Sequence, residues 1–164
     1  MSRIKTTILL VITFFSFAAQ AVDTPQQHQT KKVISLSWSA TEALLALGVT
    51  PVGVADPNGY SEWVNSPPLP NDVRNIGTRA EPNLAVIYSL KPDLIIGGPS
   101  HNSEQLGKTG TPVLILDTFR ADHDNGKAID QDFLKIATAI GKTTEAEKYL
   151  KQRDKNIQQW KQKL

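Results

Sequence analysis

Val33-Ile34-Ser35-Leu36 and Val52-Gly53-Val54-Ala55, with Ser39-Ala40-Thr41-Glu42-Ala43-Leu44-Leu45-Ala46-Leu47-Gly48 between them, decide how this chain folds. The two outer runs are short, apolar and rich in β-branched residues without polar alternation. That is the pattern of strands covered on both faces. The middle run has a helical period, and Ser39 with Glu42 has the spacing of a capping box, in which hydroxyl and carboxylate each satisfy an end amide. Gly48 supplies the stop, because glycine readily takes the left-handed conformation that closes helices. A strand, a helix and a second strand in so few residues predict a βαβ unit and therefore parallel strands.

The same alternation continues outward. Leu94–Ile96 and Val113–Leu116 read as further buried strands, and a brief one is expected around Asn75–Gly77. Pro82 stands where a first helical residue belongs, followed by Leu84, Ile87 and Leu90, with Lys91-Pro92 ending the run. Asp130 is placed to cap a helix with the stripe Phe133, Ile136, Ala137 and Ile140, closed by Gly141. Thr144 and Glu147 make a second capping box. Beyond it Ala146, Tyr149, Leu150, Ile157, Trp160 and Leu164 fall on one face of a helix about 30 Å long that reaches the last residue. The expected fold is α/β: a doubly wound parallel-sheet lobe over residues 33–143, followed by a long helix over 144–164. The stretch from Pro57 to Asp72, with its four prolines, is expected to be a long loop and the first place to seek a ligand.

Upstream, Arg3 and Lys5 precede an apolar run from Ile8 to Ala19 and then Ala19-Gln20-Ala21, the layout of a secretory signal over residues 1–21 with an A-x-A cleavage site. About a dozen apolar residues fall short of the roughly 20 that span a bilayer. Residues 22–32 are polar and aperiodic and read as a flexible tail. Loss of Arg3 and Lys5 with the signal takes 18 basic residues to 16, against 16 acidic ones. A neutral mature chain carries no electrostatic footprint for nucleic acid. There is no cysteine, which excludes thiolate catalysis, thiolate metal sites and lipid attachment through cysteine. The expected product is soluble in the periplasm and monomeric.

Enzyme signatures are poor. No G-x-G-x-x-G follows a strand, there is no G-x-x-x-x-G-K-[ST], and His28, His101 and His123 lack metal-ligand spacing. No metal or catalytic site is expected. What remains is a set of aromatic and polar residues in the loops after strands, where open α/β sheets place ligands. Trp38 follows the first strand, Tyr60 and Trp63 the second, Arg79 the third, and His101 with Asn102 the fourth. Each also has a plainer reading: Trp38, Tyr60 and Trp63 as packing, Arg79 as a surface ion pair with Glu81, His101 as an exposed loop residue.

In order and spacing, Ile34-Ser35-Leu36-Ser37-Trp38, Val54-Ala55-Asp56, Tyr60-Ser61-Glu62-Trp63-Val64, Pro67-Pro68-Leu69-Pro70 and Gly77-Thr78-Arg79-Ala80-Glu81-Pro82-Asn83-Leu84 resemble the ferric-hydroxamate (ferrichrome-type) periplasmic binding proteins. Lys91-Pro92-Asp93-Leu94-Ile95 belongs to the wider cobalamin and iron-chelate family. The resemblance implies two lobes joined by a rigid helix with the chelate held between them, so that the second lobe is absent here and half a cleft would hold a chelate weakly or undetectably. It implies that Arg79 binds hydroxamate oxygens, that Trp63 and Tyr60 wall the cleft, and that His101 or a neighbour stands where such receptors commonly place a tyrosine. Glu104 would dock on arginines of an inner-membrane ABC permease. By the same likeness no reaction is catalysed and no cofactor is needed, because the ligand is a pre-formed ferric siderophore. Cobalamin or haem binding, or a nonfunctional remnant, are the alternatives.

Overall fold

The computed structural model describes residues 31–122 and 124–163. The expected signal at 1–21 and residues 22–30 of the tail lie outside the described residues, as do His28, His123 and Leu164. Eleven elements follow one another: β1 (Val33–Ser35), α1 (Trp38–Ala46), β2 (Gly53–Val54), α2 (Pro57–Trp63), β3 (Arg74–Asn75), α3 (Leu84–Ser89), β4 (Leu94–Gly97), α4 (Ser103–Leu106), β5 (Val113–Ile115), α5 (Asn125–Ile140) and α6 (Thr143–Lys161).

All five strands are parallel, in the order β3-β2-β1-β4-β5. The chain winds outward from β1 to β3, then returns through α3 to lay β4 on the other side of β1. β1 and β4 therefore flank the point where the winding reverses, the doubly wound arrangement expected. Strand side chains alternate between two cores. Val33, Leu94 and Ile96 pack with Leu44 of α1 and with Phe133 and Ile136 of α5. Ile34, Ile95 and Leu36 pack on the opposite face with Ile87 of α3 and Leu106 of α4. Both faces of the central strands are covered, which is why their sequences lack polar alternation.

Several boundaries differ from the sequence reading, each for a local reason. Ser37, not Ser39, caps α1: its extended backbone (φ −138°, ψ 150°) suits a cap, and its hydroxyl accepts from the Ala40 amide at 3.2 Å. Asn83 rather than Pro82 starts α3, accepting from the Val86 amide at 3.2 Å. Asp124 caps α5, so Asp130 lies inside that helix. Lys142 precedes α6 without a side-chain cap, and Thr144 is already helical. Half of the expected loop from Pro57 is the helix α2. The tail is anchored before Val33, since the Lys32 amide donates to Asp93 Oδ2 at 2.8 Å and Lys31 Nζ donates to the Ala139 carbonyl at 2.7 Å.

Helix α6 keeps only part of its expected stripe. Ala146 is buried, Leu150 reaches the core, and Tyr149 meets Phe133 with ring centroids 5.3 Å apart. Tyr149 is nonetheless 50% exposed, Ile157 44% and Trp160 72%. The two helices run antiparallel, and Arg153 faces Asp130 near the beginning of α5. Beyond Arg153 the stripe runs along the first turn or so of α5 and is covered only in part. Among the described residues no helix is long and apolar enough to cross a membrane.

The Asp130–Arg153 pair pins α6 to α5 through two hydrogen bonds, one of them 2.8 Å from Arg153 Nη2 to Asp130 Oδ2. Donation by Arg153 holds the Asp130 carboxyl below its usual range. A carboxyl lowered in the folded state adds stability above its unfolded value, and that stability is lost as pH falls through the folded value. Asp130→Asn is thus expected to lower stability at pH 7, by about 1 kcal/mol or less for so exposed a pair. Its melting curve should converge with that of the parent as pH drops below about 4, the unfolded carboxyl range. Melting temperatures from pH 7 down to 2 check this.

Candidate functional site

Parallel strands deliver their carboxyl ends to one edge of the sheet, and ligands of open α/β sheets bind beyond that edge. Here the edge gathers Trp38 after β1, Asp56 after β2, Arg79 after β3 and His101 after β4. Trp38 is the first residue of α1, fixed by the Ser37 cap and by Thr41, whose hydroxyl bonds to Ser35 Oγ at 2.9 Å and to the Ser37 carbonyl at 3.0 Å. Its indole N–H donates to the Asp56 carbonyl at 3.1 Å, so the ring lies across the neighbouring strand end.

Asp56 is the hub. It adopts the left-handed conformation (φ 54°, ψ 57°), uncommon for a residue with a side chain and tolerated best by Asp and Asn. Its carboxylate accepts from the Gly59 amide at 3.2 Å to cap α2, and its own amide donates to the Gly77 carbonyl at 2.8 Å. The other carboxylate oxygen faces Arg79 Nε at 3.7 Å.

Arg79 sits at the tip of a tight turn. Gly77 and Pro82 bridge its base, and the Thr78 hydroxyl accepts from the Glu81 amide at 2.9 Å. Gly77 takes φ +96°, and a Cβ there would lie 3.0 Å from both the Asn83 nitrogen and the Glu81 oxygen, so the turn requires glycine. The Arg79 guanidinium lies over Trp38, 3.8 Å from the ring centroid. Among the described residues no oxygen accepts a hydrogen bond from its five N–H groups, and the side chain is 49% exposed. The result is a half-exposed cation held over an aromatic ring and beside one carboxylate, with a planar set of donors suited to oxygen atoms carrying negative charge.

His101 joins this group through its ring. Nδ1 accepts from the Gly98 amide at 3.0 Å, and Nε2, left protonated, donates to the Arg79 carbonyl at 2.9 Å. Asn102 is exposed and caps α4, accepting from the Gln105 amide at 2.9 Å. Glu104 is exposed in the first turn of α4.

Three expectations are thus brought together at one edge: Trp38, Arg79 and His101. Tyr60 is a correction. Its ring is fully buried, and its hydroxyl donates to the Pro67 carbonyl at 2.7 Å, closing the loop that follows α2. Burial first, and the Glu42 carboxylate second, push its hydroxyl above the usual tyrosine range. Tyr60→Phe is expected to cost about 1 kcal/mol of stability in urea unfolding while leaving the Trp38–Arg79 stack intact. Trp63 ends α2 and is 74% exposed; the arginine stacks on Trp38 instead. The ion-pair partner of Arg79 is Asp56, not Glu81. Asp56 is what sequence reasoning missed, although Asp56-Pro57 is a cap followed by a first-turn proline.

A hollow of about 300 Å³ between α1, α5 and α6 reaches Ser39 and, in the loop after β5, Thr118 and Phe119, and another of about 470 Å³ runs along the exposed side of α6. Among the described residues no group of three or more histidines, aspartates or glutamates is arranged to hold a metal.

Residues 33–164 match the family described as periplasmic binding protein. The putative ABC transporter substrate-binding lipoprotein YhfQ of Bacillus subtilis is 37% identical over 139 residues, covering 82% of this chain and 42% of the relative. The iron(3+)-hydroxamate-binding protein FhuD of Escherichia coli is 45% identical over 65 residues, covering 40% of this chain and 22% of the relative. The crystal structure of Fe3+-Desferal-bound FhuD from Vibrio cholerae superposes with a TM-score of 0.75 at 33% identity, covering 82% of this chain and 51% of that one. The chain thus spans about half or less of the length of these relatives. A parallel sheet whose winding order reverses beside β1, with polar and aromatic groups gathered at its strand ends, agrees with the sequence match over residues 33–164: the chain belongs to the periplasmic binding protein family.

Proposed function

We propose that this chain captures a ferric hydroxamate chelate at the strand-end edge and presents it to an inner-membrane ABC permease. The observation that carries the reading is the Arg79 guanidinium, 3.8 Å over the Trp38 ring, with no hydrogen bond to a protein oxygen among the described residues. Hydroxamate oxygens bound to iron bear partial negative charge and lie in pairs, the geometry a guanidinium fork meets with two parallel hydrogen bonds. The iron arrives already wrapped by its chelator, so no side chain of the chain needs to ligate it. Trp63, exposed at the end of α2, offers a second ring face to the rim of the chelate, and the amide of Asn102 lies in the loop after β4. The Desferal complex of the Vibrio cholerae relative supports the chelate class, because Desferal is itself a hydroxamate.

Glu104 serves docking rather than capture: an exposed carboxylate at the start of α4 is free to meet arginines of the permease, fixing orientation more than affinity. The chain acts as a monomer in the periplasm after loss of residues 1–21.

Isothermal titration with ferrioxamine B, ferric citrate, cobalamin and haem tests the reading. Saturable binding of ferrioxamine B above the other three is expected. Preference for ferric citrate, cobalamin or haem would overturn the hydroxamate assignment, and no binding of any of the four would overturn capture by this lobe.

A further inference from the structure

We propose that His101 is a positioning residue: its imidazole clips the loop after β4 to the backbone of Arg79 and so holds the guanidinium over Trp38. The inference rests on the reading of Arg79 as the chelate grip and adds how that grip is set. The resemblance put a ligand contact at this place, but both ring nitrogens are already engaged by the protein, Nδ1 by the Gly98 amide and Nε2 by the Arg79 carbonyl. The Gly98 bond is local and sets the ring, whereas the Nε2 bond joins loops from strands that are not neighbours, since β3 and β4 are separated by β2 and β1. No backbone ladder joins them, and a side chain must do so.

The seat of the ring is built for it. A Cβ on Gly97 would lie 3.2 Å from His101 Nδ1 and 3.3 Å from its Cγ, so glycine there lets the imidazole settle against the strand end. On the other side, the turn bearing Arg79 is anchored at its base by Gly77 and Pro82, while its tip projects. The Arg79 carbonyl is part of that tip. Holding it fixes where the side chain begins; Trp38 and Asp56 then fix where it lies. A guanidinium held in advance binds more tightly because less freedom is lost on binding.

The test uses His101→Ala, His101→Gln, His101→Asn and Gly97→Ala in the full chain, with two readouts. In the ligand-free protein, NMR follows the upfield shift that the Trp38 ring imposes on the Arg79 side-chain protons. Calorimetry follows ferrioxamine B affinity. The terminal amide of glutamine overlays the Nε2 donor and can still reach the Arg79 carbonyl, whereas asparagine preserves only the acceptor for Gly98. The expected result is loss of the ring shift in His101→Ala and His101→Asn, its recovery in His101→Gln, and partial loss in Gly97→Ala, where the imidazole is displaced. Affinity should follow the same order, falling about three- to tenfold where the shift is lost, the scale of one hydrogen bond. An unchanged ring shift in His101→Ala and His101→Asn would overturn the clip, and lowered affinity alongside it would make His101 a direct contact. Absence of ferrioxamine binding in the parent chain would defeat the capture reading alone, because the ligand-free shift still decides the role of His101.

Discussion

Arg79→Ala is expected to weaken ferrioxamine B binding by about 30-fold or more, the scale of a binding hot spot, with little effect on folding. The guanidinium stands half exposed and makes two protein contacts, the stack on Trp38 and the 3.7 Å approach to Asp56. Such contacts are worth at most about 1 kcal/mol each, so the melting temperature should move by only a few degrees. Against the chelate the same group supplies charge-assisted bonds to oxygen, which are about twice as strong as neutral ones. Arg79→Lys separates charge from geometry: it keeps the cation but loses the planar fork and most of the stacking, and its affinity should fall between parent and alanine variant. Calorimetry with all three proteins gives the order. An alanine variant binding within threefold of the parent would mean that the chelate is gripped elsewhere.

Much of this site was legible because parallel strands leave so little choice. Once Val33–Leu36 and Val52–Ala55 are read as flanking a helix, their carboxyl ends must share an edge, and Trp38, Arg79 and His101 must follow them there. The missing part is instructive in physical terms. Asp56 lies in a short turn where a left-handed backbone lets one residue cap α2, accept the Trp38 indole and face Arg79, and none of these contacts has a periodic signature. Tyr60 could be placed on the correct segment but not on the correct side. Inside a helix its direction depends on where that helix begins, and the prolines suggested a loop. The caps shifted for a similar reason: Ser37 and Ser39 are chemically equivalent, and the strand's end at Ser35 selects the first of them. The outer half of α6 shows the limit of a hydrophobic stripe. Ile157 and Trp160 continue the pattern, yet both stay largely exposed, because amphipathic spacing alone does not supply a partner surface.

Gly59→Ala should dismantle the bed of Arg79 without touching the arginine. A methyl at this position would overlap Cζ2 of the Trp38 ring and lie 2.6 Å from Asp56 Oδ2 and 2.9 Å from its Cγ. Neither neighbour can yield freely. The indole is held by its N–H bond to the Asp56 carbonyl, and the carboxylate is held as the cap of α2 by the Gly59 amide itself. Helix propensity favours alanine over glycine by about 1 kcal/mol within α2, whereas overpacking costs about 1–3 kcal/mol. The clash therefore prevails or at least cancels the gain. Its relief tilts the Trp38 ring, moves the Asp56 carboxylate, or does both, and each movement removes one of the two surfaces that fix the guanidinium. The expected outcome is a roughly tenfold loss of ferrioxamine B affinity, with no rise in melting temperature and loss of the Trp38 ring shift on Arg79. Asn58→Ala, one residue earlier and exposed, is the control and should bind as the parent does. A Gly59→Ala protein that binds normally and melts higher would show that the methyl is accommodated, and that the close packing of Trp38 on Asp56 is not what presents Arg79 to its ligand.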